Sequence, residues 1–96
     1  MDASEPIRLP GSDLVAHGLE DLSQGRVSRE ALLLSRFATR LTEAGVPLPT
    51  PPLPKAELRL YELLAASEGN GAHSAYNALT RRIVSYLRAA ERARAR

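Results

Sequence analysis

SREALLLSRFATRLTEAGVP, residues 28–47, reads as a helix with its punctuation attached. Ser28 is placed to cap the N-terminus, its hydroxyl accepting from a first-turn N–H that has no partner inside the helix. Leu33, Leu34, Phe37, Ala38, Leu41 and Ala44 recur on one face at roughly 100° per residue. Arg36, Thr39, Arg40 and Glu43 lie mostly opposite. Gly45 supplies a left-handed residue after the C-cap, Val46 folds back on Leu41 in a Schellman motif, and Pro47 blocks continuation. The spacing predicts one amphipathic helix over 28–44. Leu32 falls outside the apolar stripe, beside Arg36, Thr39 and Glu43. It is therefore expected to be solvent-exposed in the free chain and, with Arg36, to contact a partner.

Upstream, Ser12 and Asp13 open a helix carried by Leu14, Val15, Leu19 and Leu22 and stopped at Gly25. Its short connection to the next helix predicts an antiparallel hairpin. Residues 1–11 hold Pro6 and Pro10 without periodicity and read as a flexible arm. Downstream, the linker 46–54 carries five prolines between positions 47 and 54, an extended strap between helices. Its Pro49-x-x-Pro52 and Pro51-x-x-Pro54 spacings are what any proline-rich connector produces.

A third helix follows from about Lys55 to Ser67. Leu58, Leu60, Tyr61, Leu63, Leu64, Ala65 and Ala66 leave it little polar surface, so it is expected to be buried on most sides. After the turn Glu68-Gly-Asn-Gly71, a fourth helix begins near Ala72 or His73. Ala75, Tyr76, Leu79, Ile83, Tyr86, Leu87 and Ala90 form its core face. The fold class expected is all-α: two helical hairpins, about four helices, in a single domain over 12–96. Leucine (16) and alanine (15) dominate, with one Phe, three Tyr and no Trp. So thin a core in a short chain favours burial against a second copy, and a dimer is expected.

Charge is divided along the chain. Residues 81–96 contain six arginines and one acid, Glu91, a local charge of +5, whereas residues 1–80 carry seven basic and ten acidic side chains, a charge of −3. Arg81, Arg88 and Arg92, seven and four residues apart, share one face of the fourth helix within about 40°. Such an unbalanced stripe suits an acidic protein surface or a nucleic-acid backbone. A solvated face beside a helix C-terminus is the plain alternative. Ala72-His73-Ser74-Ala75-Tyr76-Asn77 opens this helix, and His73 and Asn77 join the partner-contacting candidates. The competing reading is that Ser74 or His73 caps the helix and Asn77 ties down the loop.

Chemistry for catalysis is missing. The chain has no cysteine, its two histidines (His17 and His73) are far apart, and no Ser/His/acid set or phosphate-cradling Gly-rich loop is present. No catalytic residue, cofactor or metal is expected. A helix-turn-helix around Gly25-Arg-Val-Ser28, with Leu32, Leu33, Arg36, Thr39 and Arg40 reading DNA, is disfavoured by the acids Glu20 and Asp21 on the preceding helix. No apolar run exceeds Ala31–Leu34, so no membrane span is expected. The acidic, polar start is unlike a signal peptide, which places the chain in the cytoplasm.

Gly18-Leu19-Glu20-Asp21-Leu22, Glu30-Ala31-Leu32-Leu33, Leu60-Tyr61, Ala72-His73-Ser74-x-Tyr76-Asn77-x-Leu79 and Val84-Ser85-Tyr86 together give a resemblance over residues 14–90. The set resembles small bacterial helical proteins, some similar to the antitoxin halves of loci whose toxin is a nucleotidyltransferase. The long proline strap departs from that pattern. The resemblance implies a non-enzymatic protein that binds a nucleotidyltransferase-like toxin and blocks it. A small DNA-binding transcriptional regulator is the alternative function.

Overall fold

A computed structural model describes residues 9–95. The expected flexible arm lies outside the described residues except for its last three, of which Leu9 packs against the core. The described residues are all-α, with no strand among them: α1 (Ser12–Ser23), α2 (Arg29–Arg36), α3 (Ala38–Glu43), α4 (Ala56–Glu68), a single 3-10 turn (Gly69–Gly71) and α5 (Ala72–Arg94). No described helix is long and apolar enough to cross a membrane. Helix α1 packs on α2, α2 on α4, α4 on α5, and α5 returns to α1. Fully buried leucines from α2, α3, α4 and α5 meet in one core (Leu33, Leu34, Leu41, Leu60, Leu64 and Leu87).

Local chemistry explains the start of α2 and the end of α3. Ser28 caps α2 by accepting from the Ala31 N–H at 3.1 Å. After α3, the Gly45 N–H donates to the Thr42 carbonyl and the Val46 N–H to the Leu41 carbonyl at 2.8 Å. Those paired bonds, with Gly45 at φ +92°, form the Schellman closure that the Leu41–Val46 spacing predicts. Helix α1 begins one residue early. Gly11, at φ +78°, is its N-cap, and Ser12 lies inside it.

The predicted helix over 28–44 is broken. Phe37 leaves helical geometry at φ −105° and ψ 22°, separating α2 from α3. Ser35 supplies a cause: its hydroxyl donates back to the Ala31 carbonyl at 2.9 Å, a bond that competes with the ladder and bends helices. The same oxygen accepts the Leu53 N–H at 3.0 Å, pinning the proline strap to the bend. Ser35→Ala should strand the Leu53 N–H and lower stability by roughly 1–2 kcal/mol, measured by urea unfolding. A Ser35→Ala protein as stable as the parent would show that the strap is held by Leu48 and Leu53 packing alone.

Two burial expectations fail together. Leu32 is 1 % exposed, so the expected outward, partner-facing leucine is a core residue. Ala31, Leu32, Leu33, Leu34 and Ser35 are all buried because α2 lies between α1 and α4, which cover it from two directions. Conversely α4, read from its composition as buried on most sides, buries only Ala56, Leu60 and Leu64. Its Leu58 is 56 % and Tyr61 37 % exposed. The helix buried all round is α2.

Of the five residues in the disfavoured DNA-reading face, Leu32 and Leu33 are buried, while Arg36 and Thr39 are exposed. Close approach of α1 depends on Gly18. A Cβ there would stand 2.5 Å from Leu34 Cδ1 and 3.0 Å from the Glu30 carbonyl.

Candidate partner-binding faces

Helix α5 is fixed by ion pairs to distant parts of the chain. Arg82 reaches both carboxylate oxygens of Asp13 at 3.0 Å, tying α5 to the start of α1. Further along, Arg40 of α3 grips Glu91 through Nε at 3.1 Å and a terminal nitrogen at 3.2 Å. The Arg82 hydrogen bond holds the Asp13 carboxyl below its usual pKa, and the Arg40 hydrogen bond does the same for Glu91. Asp21 is lowered first by the Ser28 hydroxyl and then by Arg26, which together close the α1–α2 turn. All three carboxylates are more acidic in the fold. Their contribution is present above the ordinary carboxylate pKa and is lost as pH falls below it through the lowered values.

These pairs sort the arginines. Arg26, Arg29, Arg36, Arg40 and Arg82 each lie 3.0–3.5 Å from a carboxylate. Arg59 has no carboxylate and donates instead to the Pro54 carbonyl at 3.3 Å, and Arg94 is folded over Gly45, where an added Cβ would lie 2.7 Å from its guanidinium. Arg81, Arg88 and Arg92 are exposed and pair with no carboxylate among the described residues. They occupy the side of α5 away from buried Ile83, Tyr86, Leu87 and Ala90. Glu91, the one acid near enough in sequence to offset them, is held by Arg40. The stripe therefore carries three arginines without a carboxylate in ion-pair reach over about 16 Å of helix, and of the three only Arg88 lies near enough to Glu91 to act on its charge.

The other candidates lie on a separate face. Arg36 pairs with Glu57 Oε1 at 3.1 Å and sits 5.3 Å from the centre of the Phe37 ring. Glu57 Oε2 accepts the Tyr76 hydroxyl at 3.2 Å. The Tyr76 ring packs 5.5 Å from that of Tyr61, whose hydroxyl is hydrogen-bonded to His73 Nδ1 at 3.0 Å. Arg36 and His73 thus end one surface chain across α2, α4 and α5. Neither His73 nor Ser74 caps α5, which follows directly from the 3-10 turn, and Asn77 is half-buried.

Sequence reasoning missed Glu57 and Tyr61 as surface groups, and missed the hydroxyl contact of Tyr76, whose ring packs partly against the core as its place on the core face of α5 predicts. Their i, i+4 and i, i+3 spacings to one another and to His73 were the available signal. Beside this chain is an open groove of about 650 Å3, lined by Ser35, Arg36, Leu53, Glu57, Leu58 and Tyr61 among others.

Among the described residues no group of three or more His, Cys, Asp or Glu side chains is placed to hold a metal. The two faces offer charge, aromatic surface and exposed leucine, which are means of holding a macromolecule. No protein family, curated protein or solved structure matches the chain.

Proposed function

We propose that this chain is a non-enzymatic, cytoplasmic protein-binding module, an antitoxin-like inhibitor that holds and blocks a nucleotidyltransferase-type partner enzyme. The observation that carries the reading is the division among the arginines. Of the described arginines the fold engages five with carboxylates, turns Arg59 and Arg94 onto Pro54 and Gly45, and leaves Arg81, Arg88 and Arg92 outward on one face. An acidic surface on the partner would supply what the chain itself withholds. Changing both Arg81 and Arg88 to Glu should weaken binding by about tenfold or more while shifting stability by under about 0.5 kcal/mol, because exposed charges contribute little to folding. Calorimetric titration against the product of the neighbouring gene, with thermal unfolding of the free variant alongside, measures both quantities. Unaltered affinity would leave the stripe as a solvated face, and unfolding would make it structural.

A DNA-binding regulator remains the second reading because the same three arginines suit phosphates. Each phosphate neutralised would steepen the salt dependence, so three contacts imply a log–log slope near about −2.7. Retention of duplex DNA with that slope, abolished by the double reversal, would favour it.

Self-association belongs to the same proposal, with α1–α2 and α4–α5 as the two hairpins of each copy. Leu58 and Tyr61 are the large apolar side chains that α4 leaves exposed, beside a groove bearing both signs of charge in Arg36 and Glu57. A mixed-charge patch can meet its own copy across a two-fold axis, whereas the arginine stripe repels itself. Sedimentation at micromolar concentration should show a dimer, and Leu58→Asp should return a folded monomer. A parent that sediments as a monomer excludes the interface.

A further inference from the structure

Resting on the protein-binding reading above, we infer that the arginine face of α5 is a seat for one acidic α-helix of the partner, laid lengthwise along α5. The order of residues on that face is the argument. Ala78, Arg81, Ser85, Arg88 and Arg92 are all exposed and follow one another by three, four, three and four residues. That alternation is the seam along which two helices run side by side, since it keeps successive side chains facing one neighbour. On this seam Arg81 and Arg88 take one of the two alternating positions, while Ala78 and Ser85 take the other, which Arg92 closes at its C-terminal end. Ala78 and Ser85 leave room for a neighbouring helix to approach, and the arginines reach outward to clasp it.

A groove of about 420 Å3 opens at the head of the seam, bounded by Ala78, Arg81, Arg82 and Ser85 together with Pro10 and Gly11. It gives an apolar side chain of the visiting helix a place to lodge, so the contact need not rest on charge alone. The Arg82 guanidinium at its edge is already committed to Asp13, and Glu91 at the other end is committed to Arg40. The visitor therefore meets Arg81 and Arg92 free of both carboxylates, and Arg88 facing a Glu91 whose hydrogen bonds go to Arg40.

Other occupants fit less well. A second copy would bring like charges together along the whole seam. A phosphate backbone has no use for the recesses at Ala78 and Ser85, and the seam presents no aromatic ring for bases to stack on. The matching helix carries carboxylates at seven- and four-residue spacing, with small or apolar residues between them.

The test uses the full chain and two designed helical peptides of identical composition. One places three glutamates at positions i, i+7 and i+11 on a single face, and the other spreads them round the helix. The in-register peptide should bind about tenfold more tightly than its permuted twin, the gain expected of roughly three well-placed charge pairs. Ser85→Tyr keeps every charge and lies on an exposed position, so it should leave folding intact. It should nevertheless cost about tenfold in affinity for the in-register peptide, because it fills the approach. Double reversal of Arg81 and Arg88 should remove the binding.

Equal binding of both peptides, or an unaffected Ser85→Tyr protein, would overturn the helix seat while leaving an arginine face that attracts acidic proteins. Tighter, salt-steep binding of a short DNA duplex than of either peptide would overturn both the seat and the inhibitor reading in favour of phosphate recognition. Binding of neither peptide, or binding indifferent to the arginine reversals, would overturn the seat. Whether the reversals also spare binding of the neighbouring gene's product then decides the protein-binding reading separately.

Discussion

Leu32→Ala should destabilise the protein by about 3 kcal/mol, a large part of what a domain of this size possesses. Leu32 is 1 % exposed and lies within a run of five buried residues on α2, which is covered by both α1 and α4. Truncation removes three buried carbon atoms and leaves a void that neither neighbouring helix can close without shifting. At roughly 4–8 °C per kcal/mol, the melting temperature should fall by more than about 10 °C. Circular dichroism on heating and in urea gives the number. The result also separates two roles for this side chain. A partner-facing Leu32 would give a stable variant with weakened binding, whereas a core Leu32 gives an unstable one.

Gly18→Ala should also destabilise, and the sign is what makes it informative. Alanine in a helix interior is ordinarily better than glycine by about 1 kcal/mol. At Gly18 that gain is opposed by geometry. The new methyl would stand 2.5 Å from Leu34 Cδ1, 2.6 Å from Leu34 Cγ and 3.0 Å from the Glu30 carbonyl. Leu34 is fully buried and has nowhere to swing, and the carbonyl belongs to the α2 backbone. Helix α1 must therefore lift from α2, and a net loss of about 2 kcal/mol is expected. A rise in melting temperature would show that α1 and α2 slide apart at little cost and that the close approach is dispensable.

What was legible in the sequence was what neighbours in the chain decide. Ser28 finds its N–H three residues away. Gly45 and Val46 close α3 through carbonyls three and five residues back, and the core face of α5 repeats with the helix period over 23 residues. The break at Phe37 was hidden because part of its cause, the Leu53 N–H on Ser35, comes from 18 residues away. Leu32 was misplaced for a related reason. A helical wheel assumes one buried face, and α2 has two neighbours. On α4 the error ran the other way: apolar composition says how much surface could be buried, and only packing decides which part is. The candidate faces were half legible. The alignment of Arg81, Arg88 and Arg92 followed from spacing alone, but the pairings that set them apart from Arg40 and Arg82 span 51 and 69 residues.

The clasp between Arg40 and Glu91 sets the electric field that α5 projects into solvent. Counted along α5, Glu91 subtracts one charge from the stripe. Held by Arg40, it forms a neutral pair, and the potential seen by an approaching anion is that of the three arginines. Loss of the Arg40 guanidinium would leave Glu91, already exposed on α5 and one turn beyond Arg88, as an unpaired negative charge. The attractive potential would drop by as much as a whole unit of charge, and with it the rate at which oppositely charged molecules are drawn in. The gain of this basic surface is thus adjusted from α3, by a residue that no contact map of the stripe would include.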